Sequence, residues 1–350
     1  MKTFCILSAF VFVGTCATPK YTTKIKNLKD SIILVDSVNA IKYAKSITTT
    51  ELKTHLYTIA SDSFQGRESG TKGHKKAALY LKKYYKAQDI KPIPKINSYF
   101  QTVPASFLEN NKQDSNNVLA YIEGYEMPEE VIILSAHLDH LGINNNGNIN
   151  YGADDDGSGT VALMEMAQAF KQAKNEGNGP KRSLLFLHFT GEELGKKGSE
   201  FYIENPIFPL KNTVANLNID MIGRVDNKHK TNTNYVYLIG SDRLSKELHY
   251  ISEKVNNSYY NLDLDYKYNV IGESNNYYGR SDHYNFAKKN IPVIFYFNGE
   301  HDDYHKHSDT PDKINYKVLQ KRTQLIFTTA WQLANQEKRI VLDETNQLLN

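Results

Sequence analysis

The chain has 350 residues, of which 40% are hydrophobic and 23% charged, and its net charge is +3. That is enough apolar material for one large core or two smaller ones, and too slight a positive balance to argue for a nucleic-acid surface. Its two cysteines, Cys5 and Cys16, lie near the start, so the folded body has no disulfide framework, thiolate ligand or cysteine nucleophile, and any metal must be held by histidines and carboxylates.

Residues 1–17 read as an export signal. Lys2 gives a positive start and Phe4 to Val13 an apolar run, which is short of the ~20 residues of a membrane span. Val13-Gly14-Thr15-Cys16 resembles a loose bacterial lipoprotein box and makes Cys16 a candidate lipid anchor; cleavage after Ala17 is the competing reading. The protein is thus expected outside the cytoplasm, as an outer-membrane or periplasmic lipoprotein or as a secreted protein. Residues 18–45 are Lys-rich and read as a tether, and a single domain is expected over 46–340.

Residues 49–91 show helical spacing in Leu52, Leu56 and Ile59 and again in Ala77, Leu81 and Tyr84. Between them lies a glycine-punctuated loop, Phe64 to Gly73. Tyr99–Val103 and Asn117–Glu123 read as strands, with no room between them for an inserted domain. The run Val131-Ile132-Ile133-Leu134 is short, β-branched and apolar, which predicts a buried strand. It leads into His137-Leu138-Asp139-His140 and, after an Asn-rich loop, into Gly152-Ala153-Asp154-Asp155-Asp156-Gly157-Ser158-Gly159. A metal-binding histidine commonly has a carboxylate holding its second nitrogen, and Gly157 and Gly159 suit a tight turn into a helix. A calcium loop of EF-hand type fails, because Leu163 stands where the final Glu is required.

A mostly buried helix is expected over Thr160–Lys174, with Met164 and Met166 as core packing. Ser183–Phe189 reads as a second buried strand and is followed by Glu192-Glu193. Thr213–Ile219 is a third and is followed by Asp220. Tyr235–Ile239 and Pro292–Phe297 are further strands, and helices are expected around 243–255, 281–289 and 316–337. This alternation predicts an α/β fold with helices covering a layered sheet. The strand at 292–297 leads into a loop holding His301, Asp302, Asp303, Tyr304, His305, His307 and Asp309. Because tips of neighbouring strands converge, two or more histidines and several carboxylates are expected in one crevice. Packed carboxylates repel unless a cation neutralises them, and imidazoles with carboxylates suit zinc, cobalt or manganese.

His137-Leu138-Asp139, the Gly152–Gly159 loop, Gly191-Glu192-Glu193, Asn218-Ile219-Asp220-Met221-Ile222-Gly223 and Tyr304-His305 through Asp309-Thr310 occur in one order. In these segments, over roughly residues 50–335, the chain resembles the M28 metallopeptidases, zinc aminopeptidases with two co-catalytic metals. The resemblance implies a three-layer fold, with a mostly parallel central sheet and helices on both faces. It also implies an exported aminopeptidase acting on peptides. Carried over position by position, one zinc takes His137 and Asp220, the other takes Glu193 and His305, and Asp155 bridges them. Cobalt or manganese are possible substitutes. Glu192 is then the general base, Asp139 orients His137, and Tyr304 donates to the developing oxyanion. His305 fits better than His301 or His307, since it follows a Tyr and stands four before Asp309. The alternatives are a glutaminyl-cyclase-like acyltransferase working with one zinc and a non-catalytic binding ectodomain. The complete set of ligand positions counts against both. Gly66-Arg67 and Arg280-Ser281-Asp282-His283 also resemble bacterial members, and the sequence assigns them no role.

Overall fold

The computed structural model describes residues 21–108 and 113–343; the expected export signal and Cys16 lie outside them. The chain divides into two compact units, residues 1–33 and 34–350. In the first, the described element is a helix, Tyr21–Ser31. The second holds everything below. Among the described residues, no helix is long and apolar enough to cross a membrane.

Eight strands form one sheet: β1 (Phe100–Val103), β2 (Ser115–Ile122), β3 (Met127–His137), β4 (Arg182–Phe189), β5 (Thr213–Ile219), β6 (Tyr235–Ile239), β7 (Asp263–Asp265) and β8 (Val293–Phe297). Their order is β1-β2-β4-β3-β5-β8-β6-β7. The middle four, β4-β3-β5-β8, are all parallel. β1 and β2 run antiparallel on one side, and β6 runs antiparallel to β8 on the other. The mostly parallel α/β sheet expected from the sequence is therefore present, with antiparallel flanks. The parallel centre matters most, because it brings four strand C-termini to one edge. His137 ends β3 level with Phe189 of β4, and Ile219 of β5 is level with Tyr296 of β8.

β4 and β5 are buried at every position, as expected of parallel strands covered on both faces. Successive side chains alternate between the two faces. Leu185, Leu187 and Phe189 share a core with Tyr202 and Phe286 of the helices Lys197–Glu204 and His283–Ala287. On the other face, Phe186 meets Phe170, which stacks on Trp331; these two come from the helices Gly159–Asn175 and Tyr316–Asn335. Helices thus cover both faces.

The expected tether over 18–45 is corrected in its second half. Ser37–Ala44 is a helix whose Tyr43 is fully buried and stacks on Trp331. The next helix, Thr49–Ile59, is N-capped by Thr48, whose Oγ1 accepts from the Glu51 N–H at 3.1 Å and donates to Glu51 Oε2 at 2.7 Å.

Candidate metal centre

Three consecutive buried carboxylates open the helix after β3, and each faces a different way. Asp154 accepts the Gly223 N–H at 2.6 Å and lies 3.2 Å from His301 Nε2. Asp156 accepts N–H groups from His137, Gly159 and Met221 at 3.2, 2.9 and 3.1 Å. A Cβ at Gly159 would stand 2.5 Å from the Asp156 carboxylate oxygens, so this glycine is needed for close approach.

Asp155 alone turns toward imidazoles on both sides. Oδ1 is 3.1 Å from His137 Nε2, and Oδ2 is 3.1 Å from His305 Nε2. His137 Nε2 is also 3.6 Å from Asp220 Oδ1. On the other side, Glu193 Oε2 is 3.4 Å from His305 Nε2, and its Oε1 is 2.8 Å from His140 Nδ1. The five expected ligands therefore meet in one place. Of the loop's three histidines, His305 reaches Asp155 and Glu193, at a positive φ of 57°. His301 pairs with Asp154 instead, and His307 is exposed.

Asp139 reaches His137 chiefly through its backbone carbonyl, 3.0 Å from His137 Nδ1, with its carboxylate Oδ1 3.8 Å from the same nitrogen. The carboxylate also accepts the Glu192 and Glu193 N–H groups at 3.2 and 3.4 Å. Asp139 thus holds the Glu-Glu turn of one strand against the His of another.

Three residues do more here than the sequence indicated. His140 is fully buried and belongs to a donor group with Asp155 and Glu193; its signal was its place directly after Asp139. Asp309 accepts the Asp154 and Asp155 N–H groups at 2.9 and 3.2 Å, locking the Asp loop to the His305 loop. Arg67 is fully buried and donates to the carbonyls of Ile59, Leu138, Tyr151 and Gly152 at 2.8–3.1 Å. It clamps the chain after β3 against the turn that precedes the Asp loop.

Electrostatics make the cluster a cation trap. Burial pushes Glu193 up to about 8, with Asp155 adding to the rise. Burial also raises Glu192 well above the carboxylate range, reinforced by Asp282 and Asp220 against the opposing His137. Asp155 is held well below that range, because the His137 and His305 imidazoles outweigh its burial. Two groups, His137/Asp155/Asp220 and His140/Asp155/Glu193, each bring their donor atoms within 4.8 Å of one another and share Asp155. This all-oxygen-and-imidazole set fits two divalent ions of the zinc, cobalt or manganese kind.

Fold and donor set together define the class, an α/β protein with a mostly parallel central sheet and, at its strand ends, two candidate metal-binding groups that share Asp155. The chain belongs to peptidase family M28, whose model matches residues 117–330. It is 27% identical over 267 residues to leupeptin-inactivating enzyme 1 of Streptomyces exfoliatus, a match over 75% of this chain and 52% of that protein. The chain thus spans about half the length of that relative. Its fold resembles BSAP, a zinc aminopeptidase from Bacillus subtilis (TM-score 0.63, 16% identity, 84% of this chain and 98% of that one). It also resembles Porphyromonas gingivalis glutaminyl cyclase (TM-score 0.65, 18% identity, 81% and 98%).

Proposed function

We propose that this chain is an exported, two-metal aminopeptidase that removes N-terminal residues from peptides. The observation carrying this is Asp155, placed 3.1 Å from an imidazole on each side and flanked by Asp220 and Glu193. The apolar run Phe4–Val13 supports export, and the likeness to BSAP and to the Streptomyces enzyme supports peptide substrates.

His137 and Asp220 would hold one ion, Glu193 and His305 the other, and Asp155 both, with His140 beside Glu193. Bound divalent ions supply Lewis acidity that lowers the pKa of a water toward about 7. Glu192 takes the proton of the attacking water and returns it to the leaving amine. Its backbone is fixed for this by Asp139, which also fixes that of Glu193. Tyr304 donates to the oxyanion of the tetrahedral intermediate, a contact typically worth about 3–4 kcal/mol.

Acyl transfer of the glutaminyl-cyclase kind is the second reading, favoured by the likeness to the Porphyromonas enzyme. Metal analysis separates the two, with near two ions per chain expected for the peptidase and one for the cyclase. Glu192→Gln should keep both ions and lose about 10²–10⁴-fold in turnover on aminoacyl anilides. An active, metal-replete Gln variant would remove Glu192 from its role. Cleavage of N-blocked peptides as fast as free ones would remove the aminopeptidase reading.

A further inference from the structure

The Arg280-Ser281-Asp282-His283 run lies outside both donor groups, yet it is tied to them. Asn218, two residues before Asp220, donates from Nδ2 to Ser281 Oγ at 2.9 Å. This sets Arg280 on the wall of a small pocket beside Asp220, with Tyr277, Phe295, Phe297, Glu300 and Tyr304. The guanidinium lies over the Tyr277 ring, 4.7 Å from its centroid. Nη1 donates to Glu300 Oε1 at 2.9 Å, and Nη2 donates to the Tyr304 hydroxyl at 3.2 Å. Tyr304 in turn stacks on His305, with centroids 3.8 Å apart and planes at 27°.

A guanidinium has five donors and no acceptor, whereas a phenol has one proton and lone pairs. In this pair the Tyr304 oxygen must accept, and its own proton must point elsewhere. A donor bond into that oxygen also polarises the O–H and strengthens it as a donor in turn. We propose that Arg280 is a positioning residue: by occupying the acceptor side of Tyr304, it directs the phenolic proton to the oxyanion. Tyr277 beneath and Glu300 at the far edge hold the guanidinium for this task. The inference rests on the reading of Tyr304 as oxyanion donor.

The test is steady-state kinetics on Arg280→Gln, Arg280→Lys, Tyr304→Phe and the Arg280→Gln/Tyr304→Phe double variant, with metal content confirmed for each. Glutamine can accept the phenolic proton and turn it away; lysine, like arginine, can only donate. Tyr304→Phe should lower kcat about 10²-fold. Arg280→Gln should lower kcat about 10-fold with KM within about 2-fold, and Arg280→Lys should recover most of the loss. The double variant should be no slower than Tyr304→Phe alone, because the two residues act as one unit. Should Arg280→Gln fail to fold, Glu300→Gln gives the same comparison, with a smaller kcat loss that vanishes in the Tyr304→Phe background. Additive losses, or a loss carried by KM, would overturn the proposal. A fully active Tyr304→Phe removes the oxyanion reading and this inference with it. An impaired Tyr304→Phe beside a fully active Arg280→Gln removes the inference alone.

Discussion

His140 shows what one buried ring does at this centre. Burial holds its pKa down at about 4, so near neutral pH the imidazole is uncharged. It can donate through Nδ1 to Glu193 or offer that nitrogen's lone pair to a cation between Glu193 and Asp155. In both cases its loss loosens one donor group and spares the other. His140→Ala should therefore weaken binding of one metal equivalent by about 10–100-fold. The ion on His137 and Asp220 should be unaffected. Titration against a competing chelator reads both steps, and equal weakening of the two would place His140 outside the centre. The segment His137-Leu138-Asp139-His140 marks where sequence reading stops. Strand periodicity separates His140 from His137 and Asp139, but β3 ends at His137, and beyond it the chain's turn decides direction. Asp139 illustrates this too, since its carboxylate serves Glu192 and Glu193 while its carbonyl serves His137. That the ligands would be histidines and carboxylates at strand tips could be read from residue type and order. Which of Asp154, Asp155 and Asp156 faces the imidazoles depends on the Met221 and Gly223 N–H groups arriving from the segment after β5 and on the Asp309 carboxylate that accepts the Asp154 and Asp155 N–H groups, and no local pattern records those.

At the scale of elements, the central parallel strands were legible because each is an unbroken apolar run, and the long helices because their spacing is regular. β7 was not, since Asp263–Asp265 is three residues long with two acids and takes its extended form from β6 alone. The Ser37–Ala44 helix was hidden for a similar reason: its anchor, Tyr43, packs on Trp331 from the far end of the chain. One packing arrangement is testable by pH. Glu165, on the helix Gly159–Asn175, is buried, with His55 Nε2 at 3.5 Å from the helix Thr49–Ile59. Tyr80 holds the other nitrogen of His55 at 2.7 Å, and Glu51 and Tyr84 face the same space. Burial, and then Glu51, push Glu165 from 4.5 up to about 8. Between those values the folded protein holds a proton that the unfolded chain releases, so this site loses stability as pH rises through that window. Glu165→Gln removes the titration while keeping the shape. The Tm of the variant relative to the parent should rise from pH 5 to pH 9; a flat or falling difference would show that Glu165 is not a strained acid.

Across the whole molecule, a net charge of only +3 conceals a strongly acidic interior. Asp139, Asp154, Asp155, Asp156, Asp220, Asp282 and Asp309 are all buried; the field of the buried Arg67 reaches Asp155, Asp309, Asp139 and Asp156, and that of the buried Arg322 reaches Asp154. Two guanidiniums cannot neutralise so many acids. Divalent ions binding the folded state alone would stabilise it by about 4 kcal/mol at a thousandfold excess over Kd. For a unit of roughly 300 residues that is a Tm rise of about 6 °C. The size of the rise should depend on pH in a definite direction. In the metal-free protein, burial raises Glu193 to about 8, Asp282 to about 7 and Asp309 to about 6. At these three acids the folded state binds more protons than the unfolded chain, so their contribution to metal-free stability falls as pH climbs from 5.5 to 8, while burial holds His74, His140, His188 and His283 down at about 3 to 4, so those four act in the opposite sense below pH 7. Metal binding requires deprotonated ligands, so its contribution grows over the same interval. The Tm gap between zinc-reloaded and chelator-stripped protein should therefore widen steadily from pH 5.5 to 8. A constant or narrowing gap would mean that these acids are not gathered to hold cations.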